Sequence, residues 1–108
     1  MYTWNELDNF IRSCSRCPLC HSRLQAVTGR GNRQAKLMFV AEAPGANEDK
    51  AGIPFVGPAG KVFDRLLADS GLTWGDIYMT NILKCHPPGN RDPLPAEKEQ
   101  CLPYLRYE

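Results

Sequence analysis

The chain has 108 residues, enough for one small domain or part of a larger one, and 43% of them are hydrophobic, which is ordinary for a globular fold. Its net charge of +1 neither predicts nor excludes a polyanionic partner. No apolar run approaches the ~20 residues of a membrane span, and the N-terminus lacks the pattern of a secretion signal. We therefore expect a soluble cytoplasmic protein with no membrane partner.

The basic residues are unevenly distributed along the chain. No acidic residue occurs between Asn9 and Ala41, so this stretch has one sign of charge. Such a block can form a face that binds phosphates, and a solvated surface beside acidic neighbours is the alternative. The basic residues of this block are Arg12, Arg16, Arg23, Arg30, Arg33 and Lys36.

The first third of the chain predicts one helix and two strands. The segment Thr3-Trp-Asn-Glu6 has the form of a capping box, which predicts a helix from about Trp4 to about Ser13. Residues Leu24–Val27 are predicted as a short edge strand. Residues Lys36–Val40 are short and apolar and lie between loop residues, which predicts a strand buried on both faces.

A long loop rich in glycine and proline, Ala41–Gly60, follows that strand and has the composition of a shaped pocket. Lys61–Ser70 then has one apolar helical face, and Ile77–Leu83 has the pattern of a second buried strand. A helical crossover makes the two strands parallel, and ligands of such sheets bind beyond the carboxyl ends of the strands. Glu42 and Asn81 lie near those ends.

The last part of the chain predicts a final helix that begins at Pro95, because proline suits the first helical turn. Pro103 is expected to kink or restart this helix. The predicted strands are few for a complete layered α/β domain, which normally has helices on both faces of a larger sheet. We therefore interpret the chain as a fragment, or as one whose remaining elements come from elsewhere.

Five cysteines are the strongest sign of a bound cofactor. Three occur in the pattern Cys14-x2-Cys17-x2-Cys20, and Cys85 and Cys101 are separated by fifteen residues. The cytosol keeps thiols reduced, so ligation is favoured over disulfides. Four thiolates can hold an iron-sulfur cluster, with a four-cysteine zinc site as the alternative and buried, unligated thiols as a third interpretation. Whether Cys17 or Cys20 is the fourth ligand stays open.

Four motifs that together cover nearly all of the chain carry a family resemblance. They are Cys14-x2-Cys17 with Cys85-x15-Cys101, Glu42-Ala-Pro-Gly45 with Glu48-Asp49, Gly52-x-Pro-Phe-Val-Gly-x-Ala-Gly60, and Thr80-Asn-x-x-Lys-Cys-x-Pro-Pro88. The combination resembles the iron-sulfur uracil-DNA glycosylases, family 4 of the uracil-DNA glycosylase superfamily. It implies a three-layer α/β/α parallel-sheet fold that is incomplete in this chain, with residues 1–108 as the N-terminal portion of a single glycosylase-like domain.

The resemblance also implies a cofactor. Cys14, Cys17, Cys85 and Cys101 would ligate a [4Fe-4S] cluster, and Cys20 would be the spare thiol. Zinc is the alternative metal.

The family hydrolyses the N-glycosidic bond of uracil in DNA after turning the base into a pocket. The resemblance implies that Glu42 is catalytic and holds or deprotonates the attacking water. Phe55 would stack on the flipped base, and Asn81 would hydrogen-bond to the uracil edge. Glu48 would exclude the methyl group of thymine, and the uracil-binding set is completed by Ala43 and Gly45, where backbone amides would stabilise the departing uracil anion.

Taken singly, these residues have ordinary structural interpretations. Phe55 would suit a hydrophobic core, Asn81 a turn at a strand end, and the pair Glu48-Asp49 a solvated surface. Only the joint pattern favours base excision. The alternatives for the whole chain are a non-catalytic DNA-binding protein and an iron-sulfur electron-transfer protein.

The chain departs from the family pattern in two places. Ala41 stands where the family usually has glycine, and the family's second motif, a His-Pro-Ser segment, does not occur. We therefore interpret the chain as the N-terminal half of such an enzyme. The expected partner is uracil-containing DNA, single- or double-stranded, and the expected oligomeric state is a monomer.

Overall fold

The computed structural model describes residues 2–108. Four helices and three strands are assigned within this range, and short 3-10 turns lie at Pro18–His21, Trp74–Asp76 and Pro88–Asn90. In chain order the elements are α1 (Trp4–Arg12), β1 (Arg30–Gly31), β2 (Leu37–Ala41), α2 (Ala46–Ala51), α3 (Pro58–Asp69), β3 (Ile77–Asn81) and α4 (Pro95–Tyr107). Among these residues no helix is both long enough and apolar enough to span a membrane.

Helix α1 begins with the predicted capping box. The hydroxyl of Thr3 accepts a hydrogen bond from the amide of Glu6 at 3.1 Å, and the Glu6 carboxylate accepts one from the Thr3 amide at 3.3 Å. These two bonds satisfy amide groups that have no partner inside the helix. Leu7 and Ile11 are buried one turn apart and face the hydrophobic core.

The three strands form a small mixed sheet in the order β1-β3-β2. Strands β2 and β3 are parallel, with Val40 opposite Thr80 and Ala41 opposite Asn81, which confirms the predicted crossover. Strand β1 is antiparallel to β3, so the small sheet is mixed, which is consistent with the predicted incomplete α/β fold. Every residue of the central strand β3 is buried.

Helices cover both faces of this sheet. Phe39 of β2 is in register with Met79 of β3, so these two side chains share a face, and Tyr78 lies on the opposite one. Phe63 of α3 packs on Phe39, with the ring centroids 5.2 Å apart. Trp4 of α1 packs on Tyr78 at 5.5 Å. Helices α3 and α1 therefore form the outer layers of an α/β/α arrangement.

The predicted edge strand at Leu24–Val27 is wrong. The amides of Leu24 and Gln25 donate to the carboxylate of Asp49, at 2.9 and 3.4 Å, so they are not available for a sheet ladder. The edge strand is instead β1, a few residues further along the chain. These amides bond to Asp49, which is distant in sequence, and local sequence patterns do not indicate such a long-range hydrogen bond.

Strand β2 is more exposed than predicted. Leu37, Met38 and Val40 are 43%, 38% and 47% exposed, so the strand is not buried on both faces. The apolar run itself correctly predicted a strand. The prediction that β2 is buried on both faces was wrong, because β2 lies at an edge of the sheet and β3 lies at the centre.

The segment Ala41–Gly60 has more regular structure than a loop. Helix α2 occupies its middle, and helix α3 begins at Pro58, where proline again fits the first turn. The predicted end of α3 is confirmed, since Gly71 has a φ of +74° and the amide of Leu72 bonds back to the carbonyl of Leu67 at 2.9 Å.

Helix α4 continues through Pro103 to Tyr107, so the expected restart of the helix is wrong. Its first turn is fixed by Glu97, which accepts hydrogen bonds from the amide of Leu94 at 2.8 Å and from the guanidinium of Arg91 at 2.9 and 2.7 Å. This turn leads directly to Cys101, which is buried in the core.

Three arginines of the basic block make contacts inside the protein. Arg23 donates to the sulfur of Cys85 at 2.9 Å, and the Arg30 guanidinium lies 3.8 Å from the ring centroid of Trp74. Arg33 forms an ion pair with Asp8 at 2.8 Å. These three guanidinium groups stabilise the fold, so the predicted phosphate-binding face is smaller than the sequence indicated.

A buried lysine ties β3 to the end of α4. The Lys84 ammonium donates to the hydroxyl of Thr80 and to the carbonyl of Asn81, both at 2.7 Å, and forms an ion pair with Glu108. Both charged side chains of this pair are 1% exposed. Glu108 also accepts a hydrogen bond from the hydroxyl of Tyr78 at 2.5 Å. All three donors of the ammonium group are therefore satisfied.

Replacing Lys84 by methionine is expected to destabilise the protein by about 3–5 kcal/mol, because the carboxylate of Glu108 would remain buried without its partner. Urea denaturation followed by circular dichroism measures this change. The double variant Lys84→Met/Glu108→Gln should recover a large part of the loss, since it removes the unpaired charge. An equal loss in the single and double variants would contradict this account of the pair.

The ion pair of Arg91 and Glu97 predicts a dependence of stability on pH. The Arg91 guanidinium holds the pKa of the Glu97 carboxyl below its ordinary value of 4.5. A lowered folded-state pKa adds stability above the unfolded-state pKa, and this stability is lost as the pH falls through the folded-state value. The melting temperature of the wild type should therefore exceed that of Glu97→Gln by more at pH 7 than at pH 3. A pH-independent difference would contradict the prediction.

Candidate functional site

The carboxyl ends of β2 and β3 open into a cavity of about 260 Å³. All five residues that the sequence predicted as uracil-binding line this one cavity. Its lining is Ala41, Ala43, Pro44, Gly45, Glu48, Phe55, Ala59 and Asn81. The position agrees with the general rule that ligands of α/β sheets bind at the carboxyl ends of parallel strands.

Asn81 is the last residue of β3 and is 3% exposed. Its backbone carbonyl accepts a hydrogen bond from the ammonium of Lys84 at 2.7 Å. Its backbone is also in register with Ala41 of β2, which lines the same cavity. The sheet and the buried lysine thus fix the backbone of Asn81, and its amide side chain offers one donor group and one acceptor group at the cavity wall.

Phe55 supplies the aromatic wall of the cavity. Its φ of +59° lies in the left-handed region, which is a rare conformation for a bulky residue. Its ring packs against Phe63 with the centroids 5.4 Å apart. Gly60 lies so close that a Cβ atom there would be 2.0 Å from the carbonyl oxygen of Phe55, so only glycine fits. Phe55 is therefore held at the cavity and is not simply a core residue.

The Glu48 carboxylate binds backbone amides on two sides. One oxygen accepts from the amide of Gly45 at 3.0 Å, and the other accepts from the amides of Val56 and Gly57, at 3.0 and 2.8 Å. Asp49 likewise binds the amide of Leu24. The interpretation of these two acidic residues as a solvated pair is therefore wrong, because both carboxylates hold segments of the backbone together.

Gly45 contributes to the cavity by its lack of a side chain. Its amide is already bonded to Glu48, so it is not free to stabilise a departing anion. A Cβ atom at this position would lie 2.7 Å from the Glu48 carboxylate. For the other amides around Gly45, the predicted stabilisation of a departing anion stays a prediction.

Glu42, the predicted catalytic residue, lies outside the cavity lining. It lines a neighbouring cavity of about 230 Å³ that shares Ala43, Pro44 and Gly45 with the first one. Its carboxylate is 55% exposed and lies 3.7 Å from the ammonium of Lys98. An exposed pair at this distance binds weakly. The Glu42 carboxylate is therefore open to solvent beside the cavity, and its catalytic role stays a prediction.

All five cysteines line one further cavity, together with Arg23 and Lys84. The cysteines come from the segment after α1, the segment after β3 and helix α4: Cys14, Cys17, Cys20, Cys85 and Cys101. Within residues 2–108, no three histidine, cysteine or carboxylate groups are close enough together to form a site for a single metal ion. The structure therefore brings together the residues that the sequence predicted as ligands and leaves them around a shared space.

Several N–H groups donate to the cysteine sulfurs. Arg23 donates to Cys85 at 2.9 Å, and the backbone amide of Lys84 donates to Cys101 at 3.3 Å. Such bonds stabilise thiolates that ligate a metal. Without a metal, burial raises the pKa of the Cys101 thiol to about 11, and burial also raises the pKa of Cys85 against the opposing effect of Arg23.

Sequence reasoning assigned no positioning role to three residues that hold the site together. Arg30 contacts the backbone at Phe55, Lys84 contacts Asn81, and an imidazole nitrogen of His86 lies 2.8 Å from the carbonyl oxygen of Pro44. Lys84 lies inside one of the four motifs, so a signal for it was present. Arg30 was assigned only to the basic block, and no local pattern distinguishes it there.

Comparison with known proteins finds relatives that are named uracil-DNA glycosylases. The chain is 50% identical over 102 residues to the type-4 uracil-DNA glycosylase of Archaeoglobus fulgidus. This alignment covers 92% of the chain and 51% of that relative. It is 48% identical to the type-4 enzyme of Pyrobaculum aerophilum over 93% of the chain and 51% of the relative. The chain is 43% identical to the type-4 enzyme of Thermotoga maritima, and the alignment covers 97% of the chain and 57% of that relative. The chain thus spans about half the length of the curated relatives it matches.

The family model described as "Uracil DNA glycosylase superfamily" matches residues 28–108. This range includes the cavity at the strand ends and two of the five cysteines. The names of the relatives confirm the resemblance that the four motifs indicated. The chain belongs to the uracil DNA glycosylase superfamily.

Proposed function

We propose that this protein removes uracil from DNA by hydrolysing its N-glycosidic bond. The observation that carries the proposal is the cavity of about 260 Å³ in which an aromatic ring, an asparagine and small residues meet at the strand ends. Sites for drug-sized ligands occupy about 300–1,000 Å³, so a somewhat smaller cavity suits a single base. Phe55 and Asn81 are the two residues that would recognise this base.

Recognition of uracil follows from these two side chains. The Phe55 ring offers a face for stacking, and stacking on aromatic side chains is worth about 1–3 kcal/mol per base. The amide of Asn81 pairs with one acceptor and one donor on the uracil edge, whereas cytosine presents a different pattern. Glu48 lines the same cavity, where its carboxylate would oppose the methyl group of thymine.

Hydrolysis requires a water molecule and stabilisation of the charge that develops on the sugar. Glu42 has an exposed carboxylate beside the base cavity, and the amide of Leu83 donates to its carbonyl at 3.0 Å. A carboxylate in this position can accept a proton from the attacking water and can offset positive charge on an oxocarbenium-like sugar. Glu42 is therefore the proposed catalytic residue.

The cysteines are proposed to hold a [4Fe-4S] cluster through Cys14, Cys17, Cys85 and Cys101. Four thiols around one space, with N–H donors to the sulfurs of Cys85 and Cys101, have the chemistry that such a cluster needs. Metal affinity adds to the free energy of folding, so the bound cluster would join α1, α4 and the segment after β3. Cys20 is the spare thiol in this proposal.

The remaining features of the proposal concern the whole protein. Uracil-containing DNA, single- or double-stranded, is the partner, and the protein acts as a monomer in the cytoplasm. Residues 1–108 form the N-terminal portion of a single domain. Three relatives with 43% to 50% identity, each named a type-4 uracil-DNA glycosylase, support uracil-containing DNA as the partner.

A single-stranded oligonucleotide with one uracil tests the activity. The full-length protein should produce abasic sites, and Glu42→Gln should reduce the rate about 10²–10⁴-fold, which is the usual contribution of a general base. Glu99→Gln is the matched control, because Glu99 is an exposed carboxylate elsewhere on the surface. No abasic product from the full-length protein, beside a clear signal from a known glycosylase, would refute the function. Uracil-specific binding without turnover would support the non-catalytic alternative.

Cysteine variants purified without oxygen test the cofactor. The wild type should contain iron and sulfide and absorb visible light, and Cys85→Ser and Cys101→Ser should lose this absorbance. Cys20→Ser is the matched control and should retain it. A colourless wild type with stoichiometric zinc would refute the iron-sulfur assignment. If Cys20→Ser loses the cluster and Cys17→Ser keeps it, Cys20 is the fourth ligand.

A further inference from the structure

The guanidinium of Arg30 extends from the edge strand β1 to the wall of the base cavity. One of its nitrogens donates to the carbonyls of Pro54 and Phe55, at 3.3 and 3.2 Å. The face of the same group lies on the indole of Trp74, 3.8 Å from the ring centroid. Only a planar cation can stack and donate in its own plane at the same time, which distinguishes arginine from lysine here.

The backbone at Phe55 requires such support. A phenylalanine with a φ of +59° occupies a sparsely populated conformation, and such conformations persist only where the surroundings hold them. The conformation decides where the ring points, because it sets the direction of the Cα–Cβ bond. A relaxed backbone would carry the ring away from its present position at the cavity.

Two charged side chains hold this turn from opposite ends. Arg30 binds the carbonyls of residues 54 and 55, and Glu48 binds the amides of Val56 and Gly57. Four consecutive residues thus have a backbone group bonded to a charged side chain. Charge-assisted hydrogen bonds of this kind are stronger than neutral ones.

Arg30 itself is fixed by the sheet. It is in register with Met79 of the central strand β3, so the antiparallel pairing of β1 sets the position of its backbone. The short edge strand therefore places the guanidinium of Arg30 at the turn that contains Phe55. Neither Arg30 nor Trp74 lines the cavity, so neither would contact the base directly.

We propose that Arg30 is a positioning residue that holds Phe55 in the left-handed conformation needed for its ring to stack on the flipped uracil. This inference rests on the proposed function. Arg30 acts through Phe55, so its removal should weaken base binding only as long as the Phe55 ring is present.

Arg33 provides a matched control within the same chain. It also stacks on a tryptophan, with its guanidinium 4.8 Å from the ring centroid of Trp4, and it is paired with Asp8 of α1. Arg30→Gln and Arg33→Gln therefore each remove one guanidinium from an indole ring. The two variants differ in that only Arg30 is bonded to the backbone at Phe55.

The first measurement is the affinity for a single-stranded oligonucleotide with one uracil on a 2′-fluoro sugar that resists hydrolysis, relative to the same strand with thymine. Arg30→Gln should lower this preference about 10-fold, within the range expected for a lost stacking contact. Arg33→Gln should leave it unchanged. In the Phe55→Leu background, Arg30→Gln should have no further effect. The proposal would be overturned if Arg30→Gln lowered the preference for uracil by the same factor with and without the Phe55 ring. It would also be overturned if Arg33→Gln lowered this preference as much as Arg30→Gln does.

The second measurement does not depend on uracil. Hydrogen exchange at the amides of Val56 and Gly57, followed by NMR, should accelerate in Arg30→Gln and stay at the wild-type rate in Arg33→Gln. Unchanged exchange in Arg30→Gln would overturn the positioning role whatever the protein binds. If the wild type shows no preference for uracil, the proposed function fails, and the exchange rates alone decide whether Arg30 holds the turn.

Discussion

The interaction on which the rest of the structure most depends is the burial of Lys84. Its backbone amide donates to the sulfur of Cys101, and its ammonium donates to the carbonyl of Asn81 and pairs with Glu108. One residue thus connects the cysteine cavity, the central strand and the end of α4. A buried ammonium is tolerated only when every donor is satisfied, so these elements must assemble together.

The cavity lined by the cysteines and the cavity at the strand ends are connected by one short segment of the chain. Cys85 follows Lys84 in the chain, and Asn81 precedes it by three residues, so a cluster ligand and the proposed base-recognition residue lie on one short segment. The His86 imidazole, next to Cys85, contacts the carbonyl of Pro44 in the opposite wall of the base cavity. Ligation of a cluster would therefore order residues on two sides of the base cavity without taking part in the reaction.

Charged side chains mainly organise the backbone at this site. Glu48 and Asp49 each bind amides of distant segments, and Arg23 and Arg30 bind carbonyls and a sulfur. These hydrogen bonds are charge-assisted, and most of their partners are backbone groups with fixed positions, so they constrain the backbone more than mobile surface ion pairs would. The cavity is consequently shaped by a hydrogen-bonded framework, and its lining remains small and largely apolar.

Local sequence patterns were sufficient for much of the fold. The capping box at Thr3, the apolar runs of β2 and β3, the proline at the start of α4 and the glycine after α3 each encode their element through interactions of near neighbours. The five cysteines line one cavity and the five residues predicted to bind uracil line another, whereas Glu42 lies outside both linings and the roles of all these residues stay predictions. The four motifs indicated the superfamily, because the joint pattern is far more specific than any one residue.

Other features were decided only by the tertiary structure, since they depend on partners that are remote in sequence. Asp49 captures the amides of Leu24 and Gln25, which moved the edge strand to β1 and made the sheet mixed. The strand order left β2 at an edge and exposed. The stretch between Ala41 and Gly60 does line a cavity, but the backbone around it is held by Arg30, Lys84 and His86, which the motifs alone did not assign. The sequence by itself determined the chemical groups at the cavity, and the long-range hydrogen bonds decided how those groups are held.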